Sequence, residues 1–160
     1  MSSIPSDVQG RIADLLNTAP VDVAQVATRL GLTIYGQPLA ERVSGVLVKD
    51  PSYGTPSGFV ILVDHGESYV RQRFTAAHEI GHYVLHRDRI GDRVEDNYLL
   101  RSAGLSSAIE AQANRFAADL LMPFPLVNQL ISDGITTVSD LARALQVSEI
   151  AMGIRLGHPT

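Results

Sequence analysis

The chain has 160 residues, 45% of them hydrophobic and 19% charged, with no cysteine and a formal net charge of −4. That length fits one domain able to bury a core without covalent staples, and the lack of thiols leaves only histidine and carboxylates to hold any metal. The acidic balance opposes whole-surface attraction to nucleic acid or anionic membrane, and no apolar run approaches the roughly 18 residues of a bilayer span. The start, MSSIPSDVQG, lacks the basic and apolar regions of a secretory signal, so a cytoplasmic location without membrane association is expected.

In chain order, Ser6 is placed to cap a helix from about Asp7 to Thr18, closed by Pro20. A second helix runs from Asp22 to Leu30 and stops at Gly31. Three β-rich runs follow, Leu32–Tyr35, Val43–Lys49 and Phe59–Asp64. Asp50-Pro51 and Tyr53-Gly54-Thr55-Pro56 separate the last two as turn signals, which makes them a hairpin-like pair. From Tyr69 to Arg87 there is no proline, and Phe74, Ala77, Gly81 and Leu85 recur at helical spacing. The stretch 88–104 is polar and poorly periodic, a surface excursion. Ser106–Met122 is the next strong helix, with Ile109, Ala113, Phe116 and Leu120 as its apolar stripe. Pro123 and Pro125 break it, a short helix reaches about Ser132, and a helical pair covers Val138–Leu156. Helices around a small three-stranded sheet define an α+β fold. We expect a single domain over 1–160, with a core of 1–132 and a C-terminal helical pair, 133–160, packed on it.

The chemistry is concentrated in His78-Glu79-Ile80-Gly81-His82. Two histidines four apart on a helix share one face, with Cβ atoms about 5–6 Å apart. Both rings can meet one zinc ion at about 2.0–2.1 Å, with the adjacent glutamate as general base for a metal-activated water. Gly81 costs roughly 1 kcal/mol relative to alanine inside a helix, which suggests that a second backbone or the metal comes close there. A catalytic zinc needs a third protein ligand and one open position. His86 continues the series but lies about 12 Å from His78 along the axis, so the two cannot share an ion; it suits the negative helix end instead. His65 and His158 sit in a turn and in the tail. The remaining donors are Glu110, Glu95, Asp96 and Asp119. Glu110 borders the Ala113/Ala117 face, yet Ser107-x-x-Glu110 also fits a capping box, and spacing alone does not decide among these acids.

The runs RQRFTAAHEIGHYVLH (71–86) and IEAQANRFAADLLMP (109–123) closely resemble the ImmA/IrrE family of metallopeptidases. VDVAQVATRLGLTIY (21–35) and VSDLARALQVSEIAMGIRL (138–156) extend the resemblance over most of the chain. It implies a zincin-like active helix and one zinc ion held by His78, His82 and Glu110. Glu79 is then the catalytic base, and Asn114, one turn after Glu110, hydrogen-bonds a ligand imidazole. It further implies a zinc-dependent endopeptidase whose protein substrate is a helix-turn-helix transcriptional repressor. Some members carry a sensor domain after the peptidase part, which this sequence, ending three residues past Gly157, is expected to lack.

Further readings accompany this one. Phe59–Asp64, just before the active helix, is a candidate edge strand for pairing with an extended substrate. For the oxyanion donor, Tyr98, Arg101, Arg93, Tyr83 and Arg71 are all within range in sequence and none is ranked. Residues 138–156 carry a helix-turn-helix-like pattern with Val147-Ser148 at the turn. Arg143 and Arg155 there are balanced by Asp140 and Glu149, so the basic footprint of a DNA reader is missing and direct nucleic-acid binding is disfavoured. A non-hydrolytic zinc protein, acting as a regulatory or toxin-like partner of a repressor or antitoxin, is the other alternative. Closed structural sites usually have four protein ligands, and this sequence offers three.

Overall fold

The structure, a computed structural model, describes residues 2–88 and 107–157. It opens with helix α1, Ser6–Ile12, which tightens into a 3-10 segment at Ala13–Asn17. The expected cap is displaced by one residue: Pro5 holds the N-cap position without a side-chain bond, and Ser6 is already helical. Helix α2, Val23–Arg29, is capped by the Asp22 carboxylate on Gln25 N–H. It ends in a Schellman arrangement, with Gly31 at φ +83°, Gly31 N–H on Thr28 O and Leu32 N–H on Ala27 O. Only glycine adopts that φ without strain. Leu32 is thereby consumed by the helix terminus, so the first strand, β1, begins later than its β-rich sequence suggested, at Ile34–Gln37.

Strands β2 (Gly45–Lys49) and β3 (Phe59–Asp64) pair antiparallel, Leu47 opposite Ile61, and β1 pairs parallel with β3. The order is therefore β1-β3-β2. This corrects one expectation: β3 is the central strand, and its backbone pairs on both sides, so it cannot receive a substrate strand. Its neighbour in sequence, the helix that follows it, gave no information about which strands flank it. Alternation along β3 splits its side chains between two faces. Phe59, Ile61 and Val63 enter the main core, while Val60 joins Val43, Val46 and Val48 in a smaller cluster on the other face.

Helix α3, Tyr69–His86, is capped by Ser68 on Arg71 N–H. It packs most extensively against α4, Ser107–Leu121, and also lies against β2 and β3. Three shorter helices close the fold: α5 (Phe124–Ser132), α6 (Val138–Leu145) and α7 (Glu149–Arg155). Leu141, Leu145, Val147 and Met152 of the last pair belong to the same buried cluster as Ile80, Phe116 and Leu120. A polar clamp ties these ends together. Asp119 on α4 accepts from Ser3 N–H (2.7 Å), Ser3 Oγ (2.6 Å) and Arg155 on α7 (2.8 Å). Arg155 also donates to Met122 O and stacks 3.8 Å over the Phe124 ring. Among the described residues, no helix is long and apolar enough to cross a membrane.

Candidate metal centre

Helical periodicity places His78 and His82 on the side of α3 that meets α4. The two helices come close because of Gly81. A Cβ built there would stand 3.1 Å from the Cβ, Cγ and Cδ1 atoms of Phe116, a fully buried α4 side chain. The close approach inferred from that glycine is thus made by an aromatic ring, with the buried Ala113 and Ala117 on the same stripe.

Across this contact Glu110 reaches both rings: Oε2 lies 2.9 Å from His78 Nε2 and Oε1 lies 2.8 Å from His82 Nε2. These ligand-capable atoms all fall within 4.8 Å of one another. Ser107 is the first described residue of α4, and the Glu110 carboxylate is turned toward the histidines, not back toward the helix start. Of the rival acids, Asp119 is committed to Ser3 and Arg155; Glu95 and Asp96 lie outside the described residues.

The far sides of both rings are also occupied. Asn114 Oδ1 is 2.8 Å from His78 Nδ1. A carbonyl oxygen only accepts, so Nδ1 donates to Asn114, and a metal ion bound at Nε2 would replace the proton that this nitrogen otherwise offers the Glu110 carboxylate. His82 Nδ1 meets His86 Nδ1 at 3.1 Å, and His86 Nε2 meets Gln112 Oε1 at 2.7 Å. Read from the accepting amide oxygen inward, His86 donates from Nε2, accepts at Nδ1, and fixes the His82 proton on Nδ1. His86 is the last residue of α3, at the helix end as expected, but it is buried there and hydrogen-bonded. It is 1% exposed and acts on the orientation of His82. The spacing of a third histidine one turn on was visible in sequence, but its partner Gln112 belongs to another helix.

Two imidazole nitrogens within 2.9 Å of one carboxylate form a group that could hold a single cation. Burial pushes the His82 imidazole below its ordinary pKa, with the Glu110 hydrogen bond opposing and the His78 charge assisting. Burial would raise the Glu110 carboxyl, but the hydrogen bonds and charge of His78 and His82 outweigh it and hold it well below the usual range. A neutral ring and an ionised carboxylate are the forms that bind metal. Two nitrogens and one oxygen match a zinc-type donor set.

Glu79 is 0% exposed and lies beneath β2. At Gly45 a Cβ would overlap Thr75 Cγ2 and come within 3.5 Å of Glu79 Cγ, so a side chain there would push the strand off α3. A cleft of about 280 Å³ opens over the group, walled by Arg42, Ser44, Arg71, Phe74, Thr75 and Asn114. Arg42 holds a left-handed φ of +70° at its rim. Among the oxyanion candidates, Arg71 lines this cleft. Tyr83 instead packs edge-on against Phe59 and under Arg87. Tyr98, Arg93 and Arg101 lie outside the described residues.

A helix bearing HExxH, a carboxylate from the following helix and a small mixed sheet alongside are the features that the fold brings together. Residues 27–157 match the Peptidase_M78 family, the IrrE N-terminal-like domain, and the chain belongs to that family. It is 35% identical over 98 residues to the radiation response metalloprotease IrrE of Deinococcus radiodurans, covering 60% of this chain and 29% of that protein. To the IrrE of Deinococcus deserti it is 34% identical over 122 residues, covering 74% of this chain and 40% of the relative. The chain thus spans less than half the length of either relative. A Mycobacterium tuberculosis transcriptional regulator has the same fold, with a TM-score of 0.63 at 18% identity over 94% of this chain and 45% of that one.

Proposed function

We propose that this protein is a zinc-dependent endopeptidase with His78, His82 and Glu110 as metal ligands, Glu79 as general base, and Asn114 and His86 orienting the ligand rings. The observation that carries the reading is the convergence of two Nδ1-tethered imidazoles on one carboxylate, with a buried glutamate one residue from the first. One zinc ion so held supplies Lewis acidity toward a peptide carbonyl and acidifies a water. Glu79 takes the proton of the attacking water and passes it to the leaving amine. Its burial keeps competing bulk water away from that transfer. Asn114 and His86 hold the two rings in the tautomer that leaves Nε2 unprotonated.

Membership in the IrrE-type family supports a protein substrate, and the family resemblance favours a helix-turn-helix repressor. A role for α6 and α7 as a DNA reader is disfavoured by their side chains. The outer face of α7 presents Ile150 and Ile154, 62% and 60% exposed, and Arg155 is held by Asp119 and the Met122 carbonyl. The test is metal analysis of the purified protein, followed by incubation of the zinc-loaded form with repressors encoded beside it and mass spectrometry of the fragments. Stoichiometric zinc with discrete repressor fragments is the expected result. Stoichiometric zinc retained by Glu110→Ala would overturn the ligand set, and intact repressors alongside bound zinc would favour a regulatory partner without hydrolysis.

A further inference from the structure

A second, larger groove adjoins the cleft over the metal centre at Asn114. Arg71, Phe74 and Asn114 are shared walls between the cleft and this groove of about 760 Å³. On α3 the track runs back from His78 through Phe74 to Val70; on α4 it runs forward from Glu110 through Asn114 and Ala118 to Met122. Both are four-residue steps, so each series keeps one helix face. From Glu110 to Met122 the track covers about 18 Å, the reach of roughly five extended residues. Its far wall is α7, through Ile150 and Ile154, which are among the most exposed large apolar side chains of the chain.

We infer that this groove is where the substrate polypeptide is selected: it takes a segment on one side of the scissile bond that carries several large apolar side chains. The inference rests on the peptidase reading above. A bond placed at the metal centre forces the chain to leave the cleft, and the groove that shares Arg71, Phe74 and Asn114 with it lies at one exit. The volume lies in the range that encloses a drug-sized ligand, enough for several aliphatic or aromatic side chains. Solvating this surface in the free protein is unfavourable, and a substrate that covers it gains the apolar contribution of roughly 25 cal/mol per Å² before ordering costs. Specificity is then set by α4 and α7, while chemistry is set by α3.

The test uses the full chain with Glu79→Gln, which removes the base and keeps the ligands. A random synthetic peptide library is passed over this protein and over the same protein carrying Ile150→Asp and Ile154→Asp. Both changed residues are exposed, and equal melting temperatures and zinc contents check that the fold and ligands are retained. Peptides held by the first protein are expected to be enriched in Leu, Ile, Val, Met or Phe at two or more neighbouring positions, with the enrichment lost at least tenfold in the second. Equal capture by both, or capture without apolar enrichment, overturns the proposal. So does a concentration-dependent dimer that the double aspartate variant dissolves, which would assign the face to a second copy of this chain. The captured peptides are then given to the zinc-loaded wild type. Groove-dependent capture without cleavage would sink the hydrolase reading and leave the groove standing as a peptide-binding surface; cleavage outside the apolar segment supports both.

Discussion

Replacing His86 tests whether a residue that touches no metal sets the metal affinity. In the structure His82 Nδ1 lies 3.1 Å from His86 Nδ1 and His86 Nε2 lies 2.7 Å from Gln112 Oε1, and the assigned tautomers have His82 donating to His86 and His86 to Gln112. His86→Leu fills the space with a comparable apolar side chain and removes the acceptor. The His82 N–H, on a ring 1% exposed, then has to forgo that bond or turn, at a cost of about 1–3 kcal/mol. Losses of outer partners of metal-bound histidines weaken metal binding by about 10–100-fold, equivalent to about 1.4–2.8 kcal/mol, so the two estimates agree. His86→Asn restores an acceptor near the Nδ1 position and is expected to recover most of that loss. Zinc affinity would be measured by competition with a chromophoric chelator at constant pH, alongside melting curves of the metal-free proteins. An unchanged zinc affinity in the leucine variant, or equal losses in the leucine and asparagine variants, would refute the assigned tautomer chain.

Further outcomes follow from the geometry. Glu79→Gln is expected to retain zinc while cleavage falls by about 10²–10⁴-fold, the usual scale of general-base removal, as read by metal analysis and peptide turnover; His78→Ala should lose the metal itself. Asn114→Ala removes the 2.8 Å partner of His78 and should weaken zinc by about tenfold or more with little change in melting temperature, since Asn114 is exposed. Asp119→Asn should destabilise the fold by about 2–4 kcal/mol by unpairing Arg155 and weakening the Ser3 contacts. Because Ser3 and Arg155 hold the Asp119 carboxyl below its usual value despite burial, its contribution is complete above about pH 4 and is lost as pH falls through the native pKa; denaturant titrations of wild type and variant should therefore converge in acid. Gly45→Val should cost about 1–3 kcal/mol through overpacking against Thr75 and should depress cleavage more than zinc content, because the strand is displaced above Glu79.

Much of the site was legible locally. His78, Glu79 and His82 are fixed by a four-residue period, and a helix of proline-free amphipathic sequence converts that period into one face. Asn114 follows from Glu110 by the same rule, once Glu110 is chosen. The choice among Glu110, Glu95, Asp96 and Asp119 could not be made from spacing. In the structure Asp119 is distinguished by contacts 116 and 36 residues away, to Ser3 and Arg155. Gly81 advertised a close approach but could not name Phe116. His86 was read from its own helix as a terminal cation, whereas its environment is built by His82 and by Gln112 of α4.

What the sequence by itself determined is therefore the set of groups that share a helix face and the α+β alternation of periods, since both depend on neighbours within a turn or two. Only the tertiary structure decided that β3 lies between β1 and β2, that the His86 ring is buried, and that the cleft beside Glu110 adjoins an apolar groove walled by α7. Each of these depends on the separation of segments far apart in the chain. Such separations follow from how all the apolar faces pack together, and no local pattern encodes them.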